Sequence, residues 1–305
     1  MNVTLIHNPE AGCDDQPTGE ELVRLIRDAG HSVLYQTSRN ADWQRTLEQP
    51  TDLVAVAGGD GIVGLVAKRL IRKPVPITVL PMGTANNIAT ALDLKGHPLD
   101  QLIAGWTDAR RVRIDIGVAN GPWGSSYFIE ALGAGAFTET MSRLDARKNV
   151  DLAHHDDTDK KIVSALQIMK IRLESCSALQ LKLAIDGRDR SGDYVLLEAM
   201  NIRSVGPNLY LAAHADPADG LLDFVLVRDD EREQLNQYLS ARIDGKQSAA
   251  ELTVERGRRL HIECDETRVH IDDDVWPKHG EHPPYSPMII DVNLHPESLE
   301  VLVPA

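Results

Sequence analysis

The sequence predicts two domains. The first is α/β with a parallel, Rossmann-like sheet over residues 1–110, and the second is mainly antiparallel β over residues 111–294. A cleft is expected between them, with the closing strand 295–305 returning to the first domain. Three observations predict this. The chain has 305 residues, more than one core usually organises. Up to about residue 110, short apolar runs alternate with amphipathic stretches, as in parallel strands covered by helices. From Arg111 onward, apolar residues recur at every second position and hairpin signals part the runs, as in antiparallel strands.

In chain order, the first strands are expected at Asn2 to His7, Ser32 to Gln36, Leu53 to Ala57 and Ile77 to Leu80. Between them, Glu20 to Ala29 carries Leu22, Leu25 and Ile26 on one helical face, and Gly30 stands where a left-handed residue ends a helix. Ile62 to Arg72 places Ile62, Leu65, Val66, Arg69 and Leu70 at helical spacing, and a further helix is expected over Ala85 to Leu92. In the second domain Leu181, Leu183 and Ile185 alternate with polar or small residues, and Asp186-Gly187 supplies a turn before Tyr194 to Met200. Leu260, Ile262 and Cys264 alternate likewise, then turn through Asp265-Glu266-Thr267 to Val269 and Ile271. One helix, Lys160 to Leu173, is expected to interrupt the strands. Asp145 to Asp159 reads as a hydrophilic loop, and its His154-His155-Asp156-Asp157 run as solvated rather than metal-binding.

Composition narrows the function. No window approaches the ~20 consecutive apolar residues of a spanning helix, and MNVTLIHNPE has neither the basic start nor the cleavage site of a signal peptide. A cytoplasmic protein is expected. Cys13, Cys176 and Cys264 are far apart, with no CxxC spacing, and are read as reduced and structural. A formal charge of −14 argues against nucleic acid and against strong docking on anionic lipid. Arg110, Arg111 and Arg113 form the densest basic patch, read as a solvated edge.

The chemistry is expected at three turns of one design, each an apolar strand ending in small residues directly before a helix. They are His7-Asn8-Pro9-Glu10-Ala11-Gly12, Gly58-Gly59-Asp60-Gly61, and Pro81-Met82-Gly83-Thr84-Ala85-Asn86-Asn87. Parallel α/β sheets gather such turns at the carboxyl edge of the strands, where ligands bind. Glycines let backbone N–H groups approach an anion, and a helix N-terminus favours negative charge, so a triphosphate suits the place. Asp60 would repel phosphate unless a cation lies between or it accepts a proton, which points to Mg²⁺ contact or hydroxyl activation. A turn aspartate capping the next helix is the plain alternative. The Thr84 hydroxyl could reach a phosphate or cap Ala85 to Leu92.

Together, NP..G at Asn8, Pro9 and Gly12, GGDG at Gly58 to Gly61, P.GTAN at Pro81 to Asn86, the run Tyr127 to Gly135, Asp216-Pro217-Ala218-Asp219-Gly220-Leu221-Leu222-Asp223, and the closing strand Ser298 to Pro304 form an ordered set. In this set the chain resembles the catalytic-domain family of diacylglycerol kinases, sphingosine kinases and bacterial lipid kinases, which is akin to NAD kinases. The resemblance runs nearly end to end. It implies ATP binding at Gly58, Gly59, Asp60, Gly61, Ile62, Val63, Gly64, Thr84 and Thr37, with Asn8 in the first turn. It implies a structural Mg²⁺ at Asp216, Asp219 and the Leu221 carbonyl. Read without it, that segment places oxygens at i, i+3 and i+5 on a tight turn, which suits a hard cation, or is a polar β-turn. The family's general base is the Glu of a DGE motif, and the corresponding run is Asp272-Asp273-Asp274, which makes Asp274 the base. Three adjacent carboxylates would raise one another's pKa.

The pattern departs from the family at Ile62, where a Thr is usual, at Val63-Gly64-Leu65, where an Asn-Glu pair normally follows, and at Asn87, where an Asp is expected. The expected function is ATP- and Mg²⁺-dependent transfer of a phosphate to a lipid hydroxyl, diacylglycerol or a related alcohol, at a membrane surface. The acceptor is expected against the β domain near Trp123, Tyr127, Phe128 and Trp276. A homodimer is carried as an expectation. The alternatives are an NAD-kinase-like or other soluble-alcohol kinase, and a nucleotide- or lipid-binding relative without turnover.

Overall fold

The computed structural model describes residues 1–12, 15–147, 158–246, 250–278, 280–282 and 287–305. Cys13 and the His154 to Asp157 run lie outside the described residues. The chain divides into two compact units, Met1–Asp115 with Pro296–Ala305, and Ile116–His295.

The first unit is a parallel sheet with helical connections. Its elements are β1 (Asn2–His7), α1 (Gly19–Asp28), β2 (Ser32–Thr37), β3 (Leu53–Gly58), α2 (Asp60–Leu70), β4 (Ile77–Pro81), the short α3 (Asn87–Ala91) and α4 (Leu99–Ala104). β1 pairs parallel with β2 and β3, and β3 pairs parallel with β4. Every residue of β3 is buried, as expected of a strand with neighbours on both edges and cover on both faces, whereas β2 at the edge is largely exposed. Thr18 and Glu21 form a capping box that starts α1, and Gly30 at φ +84° follows its end. Arg111 and Arg113 meet Glu300 at 2.7 and 3.8 Å, so the basic patch is an ion-paired edge.

The second unit is antiparallel. Its elements are β5 (Arg110–Gly121, which begins in the first unit), β6 (Gly124–Phe128), β7 (Ala131–Gly135), α5 (Ala136–Arg147), α6 (Thr158–Ser175), β8 (Leu179–Ile185), β9 (Arg188–Asp189), β10 (Gly192–Met200), β11 (Ser204–Val205), β12 (Leu209–Tyr210), β13 (Leu222–Arg228), α7 (Arg232–Ile243), β14 (Val254–Gly257), β15 (Arg259–Cys264), β16 (Val269–Ile271) and β17 (Asp274–Trp276). β10 is central: it pairs antiparallel with β7, β8 and β13 and is buried on both faces. Tyr194, Leu197 and Ala199 enter a core shared with Phe128, Leu183, Ile262 and Ile290, while Val195, Leu196 and Met200 enter another against Leu166 and Met169 of α6 and Leu235 and Leu239 of α7. The Asp186-Gly187 turn has positive φ at both residues, as a tight hairpin demands. β18 (Met288–Val303) pairs antiparallel with β15 over Met288 to Asn293, and its later residue Val301 pairs parallel with Ile77 of β4 in the first unit.

The α/β class of the first unit and the antiparallel β class of the second agree with expectation, but the helix count of the second unit does not. Three helices interrupt its described strands where one was expected, and Thr158 and Asp159, expected in a loop, open α6. No described helix is long and apolar enough to cross a membrane.

Candidate active site

The first unit packs the three turns against one another, and glycine makes the contacts possible. A Cβ on Gly59 would lie 3.1 Å from the Gly83 Cα, and one on Gly83 would press closer still on the Gly59 Cα. A Cβ on Gly12, at φ +76°, would meet the Met82 carbonyl. A Cβ on Gly58 would stand 3.3 Å from that of Asn8. Backbone bonds extend this: Asn8 N–H donates to the Ala57 carbonyl at 2.9 Å and Met82 N–H to the Gly58 carbonyl at 3.0 Å. The Asn8 side-chain oxygen accepts from Glu10 N–H at 3.1 Å and from the Ser38 hydroxyl at 3.3 Å, tying the end of β1 to the end of β2.

Gly59 is the N-cap of α2 and has no side chain to cap it, so the N–H groups of the first helical turn face outward without a side-chain acceptor from the cap. Such an end attracts anions. Asp60 stands in that turn, yet its carboxylate is directed to the third turn. Oδ2 accepts from Asn87 N–H at 3.0 Å and Oδ1 from Ile88 N–H at 2.9 Å, so Asp60 caps α3 from a distance in sequence. Burial pushes the Asp60 carboxyl above the usual carboxylate range, against the pull of those N–H groups and of Lys95. Asn86, in the left-handed region at φ +56°, closes the third turn by accepting from Gly83 N–H and donating to the Gly83 carbonyl, both at 2.8 Å. Lys95 Nζ donates to the Ala85 carbonyl at 2.7 Å and sets a positive charge beside this turn. Thr84 is half-buried near the tip and is not the cap of α3, whose N-cap is Asn86.

A cavity of about 480 Å³ opens beside the first turn, with Asn8, Gly12, Tyr35, Thr37, Arg39 and Met82 in its wall. It therefore holds two expected nucleotide residues, Asn8 and Thr37, with one guanidinium. The Thr37 hydroxyl accepts from Arg39 N–H at 3.4 Å, and Arg39 Nε lies 3.2 Å from Glu10 Oε1. Three of the expected nucleotide positions, Ile62, Val63 and Gly64, are buried. Val63 and Gly64 face the core, the Val63 N–H is spent on the Gly59 carbonyl at 3.2 Å, and Ile62, 7% exposed, offers only its backbone. Val63 and Gly64 are packing residues of α2.

In the second unit, the acidic run is not a cluster. Asp272, at φ +50°, turns inward: its Oδ1 accepts from Ile129 N–H at 3.0 Å and Glu130 N–H at 2.8 Å, and its Oδ2 from Ile129 N–H at 3.1 Å. Asp274 turns outward at the start of β17, its side chain 71% exposed and 3.0 Å from the Lys278 ammonium. The carboxylates of Asp272 and Asp274 thus point into different surroundings. Behind this hairpin lies a pair that sequence reasoning missed. His270 bonds the Asp272 carbonyl at 3.0 Å and, through its other nitrogen, Glu198 Oε2 at 2.8 Å, with both side chains fully buried. Burial raises the Glu198 pKa; burial is also the largest influence on His270 and opposes its charge, but Glu198 and Asp272 together raise that pKa. The signal available was one charge at the centre of the apolar run Tyr194 to Met200.

Among the expected aromatics, Phe128 is core, Trp123 and Trp276 pack edge to face with centroids 5.1 Å apart, and Tyr127 is exposed. At the segment expected to hold Mg²⁺, Asp216 Oδ1 accepts from Ala218 N–H at 3.0 Å and Asp219 Oδ1 from Leu221 N–H at 2.9 Å. Asp219 Oδ2 carries the Arg256 guanidinium. Among the described residues, no three His, Cys, Asp or Glu side chains gather as metal ligands. With Arg256 in place the turn does not fit a cation, and no chemistry is routed through it.

The chain matches two family models: the diacylglycerol kinase catalytic domain over residues 2–119, and the YegS C-terminal NAD kinase beta sandwich-like domain over residues 143–303. A diacylglycerol kinase of Mycobacterium tuberculosis is 26% identical over 295 residues, covering 94% of this chain and 86% of that protein. One from Staphylococcus haemolyticus is 26% identical over 246 residues, covering 70% and 72%. In fold, the chain resembles a diacylglycerol kinase structure from Bacillus anthracis (TM-score 0.67, 18% identity, 99% and 96% covered) and yeast NADH kinase complexed with NADH (TM-score 0.54, 10% identity, 100% and 84% covered). With one model spanning most of the first unit and the other more than half of the chain, this protein belongs to the diacylglycerol kinase catalytic-domain family.

Proposed function

We propose that this chain is a lipid kinase that transfers the γ-phosphate of ATP, with Mg²⁺, to a hydroxyl of diacylglycerol or a related lipid alcohol. Family membership supports the kinase and lipid parts of this reading. The observation that carries the nucleotide part is the mutual packing of three glycine turns at the carboxyl ends of β1, β3 and β4, with an uncapped helix start among them. ATP phosphates lie over Gly59, Gly61 and the first N–H groups of α2, with Thr84 and Lys95 beside them and Asn8, Thr37 and Arg39 at the neighbouring cavity. Because Asp60 directs its carboxylate into α3, its charge is drawn off the phosphates. Each of its oxygens keeps a lone pair that could meet a Mg²⁺, whose contribution when bound is to neutralise phosphate charge. Asp274, exposed and ion-paired with Lys278, takes the proton from the lipid hydroxyl as its oxygen attacks the γ-phosphorus and the bond to the bridging β-phosphate oxygen breaks, releasing ADP.

Phosphate transfer from ATP to detergent-dispersed diacylglycerol, monoacylglycerol, sphingosine and ceramide tests this, with NAD as a soluble competitor acceptor. Transfer to one lipid, lost in Asp274→Asn, is expected. Transfer to NAD alone, or ATP binding with no transfer to any acceptor, would overturn the lipid assignment.

A further inference from the structure

The turn Asp216 to Leu221 builds itself from its own backbone. Besides the two side-chain bonds given above, Asp219 N–H donates to the Asp216 carbonyl at 3.3 Å. This leaves Asp216 Oδ2, Asp219 Oδ2 and the Leu221 carbonyl as the oxygens that a hard cation would take. Arg256 is already there. It stands on β14 directly across from Asp223 on β13, so the strand register fixes where its side chain starts. From that point Nη2 bonds Asp219 Oδ2 and Nε lies 3.6 Å from Asp223 Oδ2. Asp223 is 2% exposed, while Arg256 is 43% exposed at its side chain, so one guanidinium joins a buried carboxylate to one at the rim. Burial raises the Asp223 pKa, and the nearby Arg256 charge pulls it back.

We propose that Arg256 takes the place of a divalent cation at this turn, the guanidinium and the cation being mutually exclusive partners of Asp219. A guanidinium offers several donors in one plane and serves two carboxylates at once, which a metal bound at Asp216 and Asp219 would not do for Asp223. A cation entering the turn must displace Arg256 or sit beside its charge. Displacement leaves Asp223 buried without its partner, and that penalty is subtracted from cation affinity. The turn is therefore closed in the absence of metal, whatever metal the bound nucleotide brings elsewhere.

The test uses the whole chain without nucleotide. Mn²⁺ binding is titrated by paramagnetic resonance for the native chain, Arg256→Gln, and Arg256→Gln combined with Asp216→Asn. Arg256→Gln is expected to bind at least tenfold more tightly than the native chain, and the double variant to lose the gain. In parallel, millimolar Mg²⁺ should not raise the native melting temperature above that in chelator. Equal affinity in native and Arg256→Gln chains would overturn the proposal. Should Arg256→Gln fail to fold, elemental analysis of the native chain decides: after equilibration with Mg²⁺ and desalting, one retained ion per chain overturns the proposal, and no retained ion sustains it.

Discussion

Asp60 and Asp274 are the two carboxylates to which the proposed chemistry falls, and their surroundings are opposite. Asp60 is half-buried and both oxygens serve backbone N–H groups of another turn. Asp274 is 71% exposed, and its ion pair is with Lys278, itself 68% exposed. A surface pair of that kind contributes about 0–1 kcal/mol, so the Asp274 carboxylate adds little to stability. The difference separates two ways in which an acidic residue can matter. Asp60 shapes the place where phosphate would sit, and its substitution should disturb folding and nucleotide binding together. Asp274 stands exposed at the surface, and its substitution should disturb turnover alone.

The largest expected effect follows from the proton-accepting role proposed for Asp274. Asp274→Asn should lower the rate of lipid phosphorylation by about 10²-fold or more, the usual contribution of a general base, with an unchanged denaturation midpoint. A variant that keeps its rate would remove Asp274 from the mechanism and break the comparison. Next comes the packing under Asp60. Gly83→Ala forces a methyl onto the Gly59 backbone, and overpacking of this kind costs about 1–3 kcal/mol; chemical denaturation should show the loss, and nucleotide titration a weaker ATP affinity. Asp60→Asn should cost about as much, because an amide has one oxygen for two N–H donors and strands the Asn87 or the Ile88 N–H. If Asp60→Asn reduced turnover with neither stability nor ATP affinity changed, the architectural role given to Asp60 would be wrong.

The same contrast explains what was legible in the sequence. Largely apolar runs that end in Asn-Pro or glycine turns mark β1, β3 and β4, because strands buried on both faces need mostly apolar side chains. The turns were legible because only glycine fits where backbones touch. Asp60's partners were not: Asn87 and Ile88 are far along the chain, and no local pattern says which helix an aspartate caps. The missed helices have a physical reason also. α5 buries Thr138 and Thr140 beside Phe137, and their hydroxyls donate to the Gly133 and Ala136 carbonyls at 3.1 and 2.7 Å, so polar residues interrupt its apolar stripe. α7 buries Leu235, Tyr238 and Leu239, with Ile243 packed beside them, within a sequence that is otherwise mostly polar. In the acidic run, the left-handed backbone at Asp272 sends neighbouring carboxylates opposite ways, which spacing alone does not reveal.

The smallest effect sharpens the contrast through pH. Asp60 has a raised pKa in the folded chain, chiefly from burial, so the native state holds this proton at pH values where the unfolded chain has released it. With more protons bound when folded, stability falls as pH rises through that window and is recovered as pH falls. Asp60→Asn has no proton to exchange there. The stability advantage of the native chain over Asp60→Asn should therefore widen as pH is lowered from neutrality toward the ordinary carboxylate range, with a slope below the ~1.4 kcal/mol per pH unit of one full proton. Denaturation of both proteins at several pH values measures it. An advantage that narrowed on acidification would mean that the Asn87 and Ile88 N–H groups outweigh burial, and that Asp60 stays charged in its cap.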